Sequence, residues 1–343
     1  MSGRWSSWAG CGRVSREQRV VSSEQRGVAP IALAEIYAAR ARLGSAVLRT
    51  PLVRLDADGP GEIWLKLENL QPIGSFKLRG AGNAILAAAP DDLRRGIVTA
   101  SAGNMAQGVA WWARRLGVPA TAIVPDHAPA AKTSAIERLG GRVVRVPFDR
   151  WWRLLTGEES PDLPGLFVHP VADPMVIAGN GTIALELLED LPSVETVLVP
   201  YGGGGLACGI ASALAALRPG ARVIGCEVET ATPLATSLAS GRPETVPYTP
   251  SFVEGIGGKS LLPAMWPLAS ALLAGAAAAS LNAVAEAIRR LAARHRVVAE
   301  GAGAASVAVA LAGHASGPTV CIVSGGNIDL GVLAAILQGA TPR

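Results

Sequence analysis

Thr196-Val197-Leu198-Val199-Pro200-Tyr201-Gly202-Gly203-Gly204-Gly205-Leu206-Ala207-Cys208 joins a short β-branched run, four consecutive glycines and the start of an apolar, alanine-rich stretch. The run predicts a buried strand over 196–200 and the stretch predicts a helix over 206–217. A tight turn needs one or two glycines, and each further one loses much backbone entropy on folding. Four in a row suit a backbone that cradles a phosphate against a helix N-terminus, so Gly202, Gly203, Gly204 and Gly205 are candidate phosphate ligands. The order strand, glycine loop, helix, strand, Glu227 imitates a dinucleotide fingerprint. No register of the loop, however, places glycines at the offsets of two and five that fingerprint demands, and no GK[ST] follows for a P-loop.

Outward from this unit the same alternation continues in both directions. Strands are predicted over 63–67, 96–100, 120–124, 142–146, 196–200, 222–227 and 319–324. Helices are predicted over 78–89, 105–116, 130–139, 182–189, 206–217, 281–295 and 302–312. The apolar run 269–281 is too short to span a membrane and reads as a further core helix. Strand-then-helix alternation implies α/β architecture with mostly parallel sheets flanked by helices. Ligands in such sheets bind beyond the carboxyl ends of the strands. Residues 156–164, rich in acids, Pro and Gly, are a candidate crossing between two domains, and 241–250, with three prolines, a surface excursion.

Three more segments fall at strand ends or helix starts. Lys77, in Gly74-Ser75-Phe76-Lys77-Leu78-Arg79-Gly80, stands at a loop-to-helix junction beside an aromatic ring. A lysine that links to a carbonyl cofactor needs such a partly dry site with room for a flat ring; a solvated lysine at a helix start is the alternative. Ser101-Ala102-Gly103-Asn104 sits between a strand and a helix, where small residues and free N–H groups can receive a carboxylate or phosphate. A helix cap formed by Ser101 or Asn104 is compatible with that role. Ser324-Gly325-Gly326-Asn327 follows the last predicted strand and reads either as a hydroxyl facing a cofactor edge or as a plain turn.

The bulk figures exclude other classes. In 343 residues, half are hydrophobic, which suits about two globular domains. Of the formal net charge of +4, residues 1–27 supply three, through Arg4, Arg13, Arg16, Arg19 and Arg26 against Glu17 and Glu24. The nearly neutral remainder gives no case for nucleic acid, and residues 1–30 read as a disordered extension without a signal-peptide core. Cys11, Cys208, Cys226 and Cys321 form no CxxC, and the four histidines no HExxH, so a reduced cytoplasmic context without zinc is expected.

In this order, the segments resemble the serine/threonine dehydratase group of fold type II pyridoxal-phosphate enzymes. The resemblance runs from Lys66-Leu67-Glu68-Asn69-Leu70-Gln71-Pro72 into Ser75-Phe76-Lys77-Leu78-Arg79-Gly80. It continues through residues 101–104, 202–205 and 324–327, with further similar segments at 178–182 and 299–304. It covers about residues 31–335. It implies a fold like the tryptophan synthase β subunit, with two open, mostly parallel twisted sheets and the cofactor in the cleft between domains. Residues 31–75 and 160–343 would form the large cofactor-binding domain and 76–159 the small one. It implies pyridoxal 5'-phosphate carried by Lys77, contacts from Phe76 and Asn104, the phosphate on Gly202 to Gly205, and Ser324 at the pyridine nitrogen. The substrate carboxylate would meet Ser101, Ala102, Gly103 and Asn104. The implied reaction is β-elimination of a small hydroxy-amino acid, such as L-threonine or L-serine, to a 2-keto acid and ammonia, by a homodimer. A β-replacement or threonine-synthase-like enzyme is the alternative on the same fold, although synthases usually carry Asp where Leu78 stands. A binding protein without catalysis is the third reading, with an intact Lys77 against it.

Departures from the family pattern carry their own expectations. Met105 replaces the usual His, which would alter polar contacts near the substrate, and Asn180 replaces the usual Gln. Racemases of the family have Ser where Ala102 stands, so low racemisation is expected. Relatives that bind a divalent cation use a Glu, a carbonyl and an Asp. Glu227 and Ala231 match the first two, but Pro233 falls at the third, so no metal is expected. Glu227 would then serve as a partner for backbone N–H groups.

Overall fold

The computed structural model describes residues 27–57 and 61–342. Among them are ten strands in two sheets. Their ranges are β1 Leu52–Arg54, β2 Ile63–Leu67, β3 Ile97–Ala100, β4 Ala120–Pro125, β5 Arg142–Val146, β6 Leu166–Phe167, β7 Thr196–Pro200, β8 Arg222–Val228, β9 Gly275–Ala279 and β10 Thr319–Val323. The larger sheet has the order β1-β2-β10-β7-β8-β9 and the smaller β5-β4-β3-β6. Only β1, on β2, is antiparallel; every other described pairing is parallel. The mostly parallel α/β architecture expected from the sequence is therefore present.

The burial pattern explains why both faces of the larger sheet are covered. Val197, Val199, Val320 and Ile322 point into one core, with the helices Pro174–Asp190 and Gly205–Leu217. Their neighbours Leu198, Cys321 and Val323 point into a second core, with the helices Leu281–Arg290 and Gly301–Val309. Alternate side chains of a strand leave opposite faces, so a strand buried on both faces must be apolar throughout. β7 and β10, each fully buried, are apolar after their first residues, the buried Thr196 and Thr319. The smaller sheet divides similarly, with Ile97 on one side and Val98 and Ala100 on the other.

Two readings from sequence need correction. Residues 269–281 are not one helix. The helix Trp266–Leu272 ends within the run, and Gly275–Ala279 becomes β9, paired with β8 from Ile224↔Gly275 to Val228↔Ala279. Alanine favours helix locally, but the open edge of β8 supplies a ladder that overrides the preference. The helix expected at 182–189 begins earlier, at Pro174, capped by Asp173 Oδ1 accepting from Met175 N–H at 2.8 Å. The family-like segment 178–182 thus lies inside a buried helix, not on a loop.

The chain leaves the smaller sheet only after β6, beyond residues 156–164. Residues 241–250 form an irregular and largely exposed stretch, as expected. Of the extension expected at 1–30, residues 1–26 lie outside the described residues. Residues 27–30 belong to the ordered body: Val28 N–H donates to Ala264 O at 2.8 Å. No described helix is long and apolar enough to cross a membrane.

Candidate active site

The carboxyl ends of β3, β7 and β10 and the turn before the helix Lys77–Leu86 converge on one region. Its base is a short zipper between segments some 250 residues apart in sequence. Phe76 N–H donates to Ser324 O at 3.0 Å, Gly326 N–H to Gly74 O at 2.9 Å, and Ser75 bridges Gly325. The tight turn at Gly74 uses a φ of +72° that few residues but glycine adopt. The lysine segment and the Ser324 segment are therefore one structural unit.

Lys77 opens its helix, with Nζ 2.8 Å from Pro170 O, to which it donates, and 5.2 Å from the Phe76 ring centroid. Burial disfavours the charged ammonium and pushes its pKa from 10.5 down to about 8. The helix is anchored from behind by a buried ionic network. Arg79 donates to both Glu68 and Glu186, at 2.7–2.9 Å, and Lys66 Nζ reaches Glu186 at 2.7 Å. Arg79 and Glu68 are almost fully buried, so neither tolerates loss of the other.

Ser101, Ala102, Gly103 and Asn104 lie partly exposed at the end of β3. The N-cap of the helix Asn104–Leu116 is Gly103, not Ser101 or Asn104, and no side chain caps it. Ser101 Oγ instead accepts from Gly103 N–H at 3.2 Å. Asn104 is held at both ends of its amide. Nδ2 donates to Glu300 Oε1 at 2.9 Å, and Oδ1 accepts from Asn327 Nδ2 at 2.7 Å. Asn327 Nδ2 also reaches Ile73 O, at 2.8 Å. Burial pushes the Glu300 carboxyl up to about 7, against the opposing bond from Asn104. Met105, expected to alter contacts near the substrate, is buried among Leu78, Val109 and Trp112 and faces the core. Position 105 lies on the helix face turned inward.

The four glycines turn between β7 and the helix Gly205–Leu217, with Gly204 at φ +95°. A Cβ on Gly202 would lie 2.5 Å from Gly255 O, one on Gly203 2.6 Å from Val171 side-chain carbons, and one on Gly205 2.9 Å from Val171 O. No side chain caps the helix, so its first N–H groups remain for an anion. Asn180 Nδ2 donates to Gly205 O at 3.1 Å and steadies the loop from below, leaving its Oδ1 buried without a partner among the described residues.

Pyridoxal phosphate fits these residues. The depressed Lys77 amine provides the attachment point, and the uncapped glycine turn provides the anion cradle. Ser75 Oγ, beside the lysine, is buried without a partner among the described residues. Ser324, buried as well, directly follows β10 at the same edge. The phosphate, phenolic oxygen and ring nitrogen of one flat cofactor supply partners for such hydroxyls.

The postulated cation position is used otherwise. Glu227 accepts from Leu234 N–H at 2.7 Å and Ala235 N–H at 2.9 Å, capping the helix Pro233–Ser240. Glu229 Oε1 accepts from Leu281 N–H at 2.7 Å. Two polar residues of the site escaped the sequence reading. Glu300 lies within the family-like segment 299–304, where its only sequence signal is an acid amid Ala and Gly. His169 carries no sequence signal, because lone histidines are common and its partners are backbone atoms.

The family model described as pyridoxal-phosphate dependent enzyme matches residues 43–326. An L-threonine ammonia-lyase of Thermotoga maritima is 41% identical over 317 residues, covering 90% of this chain and 78% of that protein. Among solved structures, maize serine racemase superposes with a TM-score of 0.82 at 32% identity, covering 90% of this chain and 98% of its own. The processed form of threonine deaminase isoform 2 from Solanum lycopersicum does so with a TM-score of 0.79 at 28% identity, covering 93% and 98%.

Proposed function

We infer the reaction from one premise: this chain belongs to the family of pyridoxal-phosphate-dependent enzymes. It is a hydroxy-amino-acid ammonia-lyase of fold type II that takes ammonia from a small substrate such as L-threonine or L-serine, by eliminating water and regaining it on hydrolysis. The observation that carries the reading is the Lys77 amine, half-buried, depressed to about 8 and set beside the uncapped glycine turn.

In this reading Lys77 carries the cofactor, and Gly202, Gly203, Gly204 and Gly205 hold its phosphate through backbone N–H groups. Phe76 and Asn104 would contact the ring, Asn104 near its phenolic oxygen, and Ser324 would meet the pyridine nitrogen. Bound pyridoxal phosphate supplies the electron sink that acidifies the substrate Cα–H. The substrate carboxylate sits on Ser101, Ala102, Gly103 and the N–H groups that follow. When free, Lys77 takes the Cα proton; a pKa of about 8 leaves a useful fraction as neutral amine near neutral pH. Loss of the β-hydroxyl then yields an enamine, which hydrolyses in water to the keto acid and ammonia. A neutral hydroxyl from Ser324 would not hold a proton on the ring nitrogen as a carboxylate would, and that would favour fast departure of the leaving group.

The same reading takes residues 31–75 and 160–343 as the cofactor-binding domain and 76–159 as the small one, with Leu166–Phe167 of the former adding the edge strand β6 to the smaller sheet. It also takes the protein as a cytoplasmic homodimer that uses no metal. Three buried free cysteines, Cys208, Cys226 and Cys321, fit a reducing compartment. Purified protein given L-threonine or L-serine is expected to release 2-keto acid at a rate unchanged by an added thiol nucleophile. A thiol-dependent replacement product instead of keto acid would move the assignment to β-replacement. Borohydride should fix the cofactor to the Lys77 peptide.

A further inference from the structure

The segment leaving β6 touches both halves of the site. Pro170 O accepts from Lys77 Nζ at 2.8 Å, and the next residue, Val171, packs where side chains on Gly203 and Gly205 would have to go. One ring shapes this turn. His169 Nδ1 accepts from Val171 N–H at 3.1 Å and from Ala172 N–H at 2.9 Å. Its Nε2 lies 2.9 Å from Leu155 O, on the helix Phe148–Thr156.

Two N–H groups aimed at Nδ1 require a lone pair there, so the ring proton sits on Nε2 and is donated to Leu155 O. All three bonds need the same neutral tautomer. Burial, together with the nearby Lys77 charge, lowers the His169 pKa and keeps the ring neutral, although the Leu155 bond opposes the shift. The ring thus ties a helix of the smaller sheet to the loop that lies between the lysine and the glycine turn.

We propose that His169 is a positioning residue for Lys77, fixing the turn that presents the Pro170 carbonyl to the lysine amine and Val171 to the glycine loop. A carbonyl that accepts one N–H of a free amine leaves the nitrogen lone pair available. The amine is then held in one place when it is not bonded to cofactor, the interval in which it must act as a base. The proposal rests on the reading of Lys77 as the cofactor-linked residue, and borohydride labelling of the wild-type protein checks that reading separately.

Two isosteres separate the two ends of the ring. His169→Asn keeps an acceptor where Nδ1 stands and gives up the Leu155 bond. His169→Gln keeps a donor toward Leu155 and removes the acceptor that Val171 and Ala172 use. Full-length apo-protein of each variant is mixed with pyridoxal phosphate, and the rate of growth of the lysine-bound visible band is followed, alongside kcat and KM. His169→Gln is expected to slow capture and lower kcat roughly 10- to 100-fold, the range for a small misplacement of a reacting group, with KM changed less than about threefold. His169→Asn is expected to stay within about threefold of wild type in both. Capture by His169→Gln at the wild-type rate overturns the proposal. So does a His169→Asn protein as impaired as His169→Gln, whether in folding or in capture.

Discussion

Replacing Gly202 by Ala tests the glycine turn at its least forgiving point. The new methyl would lie 2.5 Å from Gly255 O, a backbone atom, whereas ordinary contact begins near 3.4 Å. One of the two loops must therefore retreat by about 0.9 Å, since no side chain is available to rotate away. A shift of that size in groups that must meet a ligand costs on the order of a hundredfold, or about 2.8 kcal/mol at 1.4 kcal/mol per decade. The assay is equilibrium titration of apo-protein with pyridoxal phosphate and, separately, with pyridoxal, which lacks the phosphate. Gly202→Ala is expected to weaken the phosphorylated ligand about a hundredfold and pyridoxal less than about threefold. Equal weakening of both would place the damage elsewhere, and equal retention of both would remove the turn from the phosphate site.

The Lys77 amine should titrate near 8, so acylation of that residue in apo-protein should rise as pH climbs through 8, not 10.5. At pH 8 roughly half is free amine, against about 0.3% for an ordinary lysine; a midpoint near 10 would show that burial does not act on it. Arg79→Met leaves Glu68 buried without its guanidinium partner, and a loss of about 3–5 kcal/mol should lower the urea midpoint sharply. An unchanged midpoint would mean the network adds nothing net. The Ala102 methyl cannot transfer a proton, so wild-type protein should form little D-serine from L-serine, and Ala102→Ser should raise that yield. Abundant D-serine from the wild type would point to a different second acid. Activity should survive EDTA, because the Glu227 carboxylate is committed to Leu234 and Ala235 N–H groups; a large loss restored by Mg²⁺ would reveal other ligands.

Much of the fold was legible because buried parallel strands are chemically conspicuous. Ile63–Leu67, Arg142–Val146 and Thr196–Pro200 have the bounds their apolar or β-branched runs predict. β1 and β6, at three and two residues, are too short for any periodic signal, and β9 is a run of alanines whose local preference points the other way. At the site, glycines and lysine announce themselves through unusual local composition. The Asn104–Glu300 bond joins residues 196 apart, and the His169 bonds end on backbone atoms of no special identity. Neither leaves a mark in the sequence, since each depends on how two distant loops come to rest.

The last of the described strands is also a middle strand of its sheet. β10 lies between β2 and β7, and the turn beyond it completes the seat of the lysine. During synthesis, then, about 320 residues must emerge before the two halves of the larger sheet have anything to pair through. Until that moment the ladder edges of β2 and β7 face each other across an empty slot, open to chaperones or to the wrong strand. A ribosome-stalled chain ending before Thr319 should therefore capture no cofactor, however well its smaller sheet has formed. Binding competence would appear abruptly, once β10 has emerged, as a property of both halves joined rather than of the half that carries Lys77.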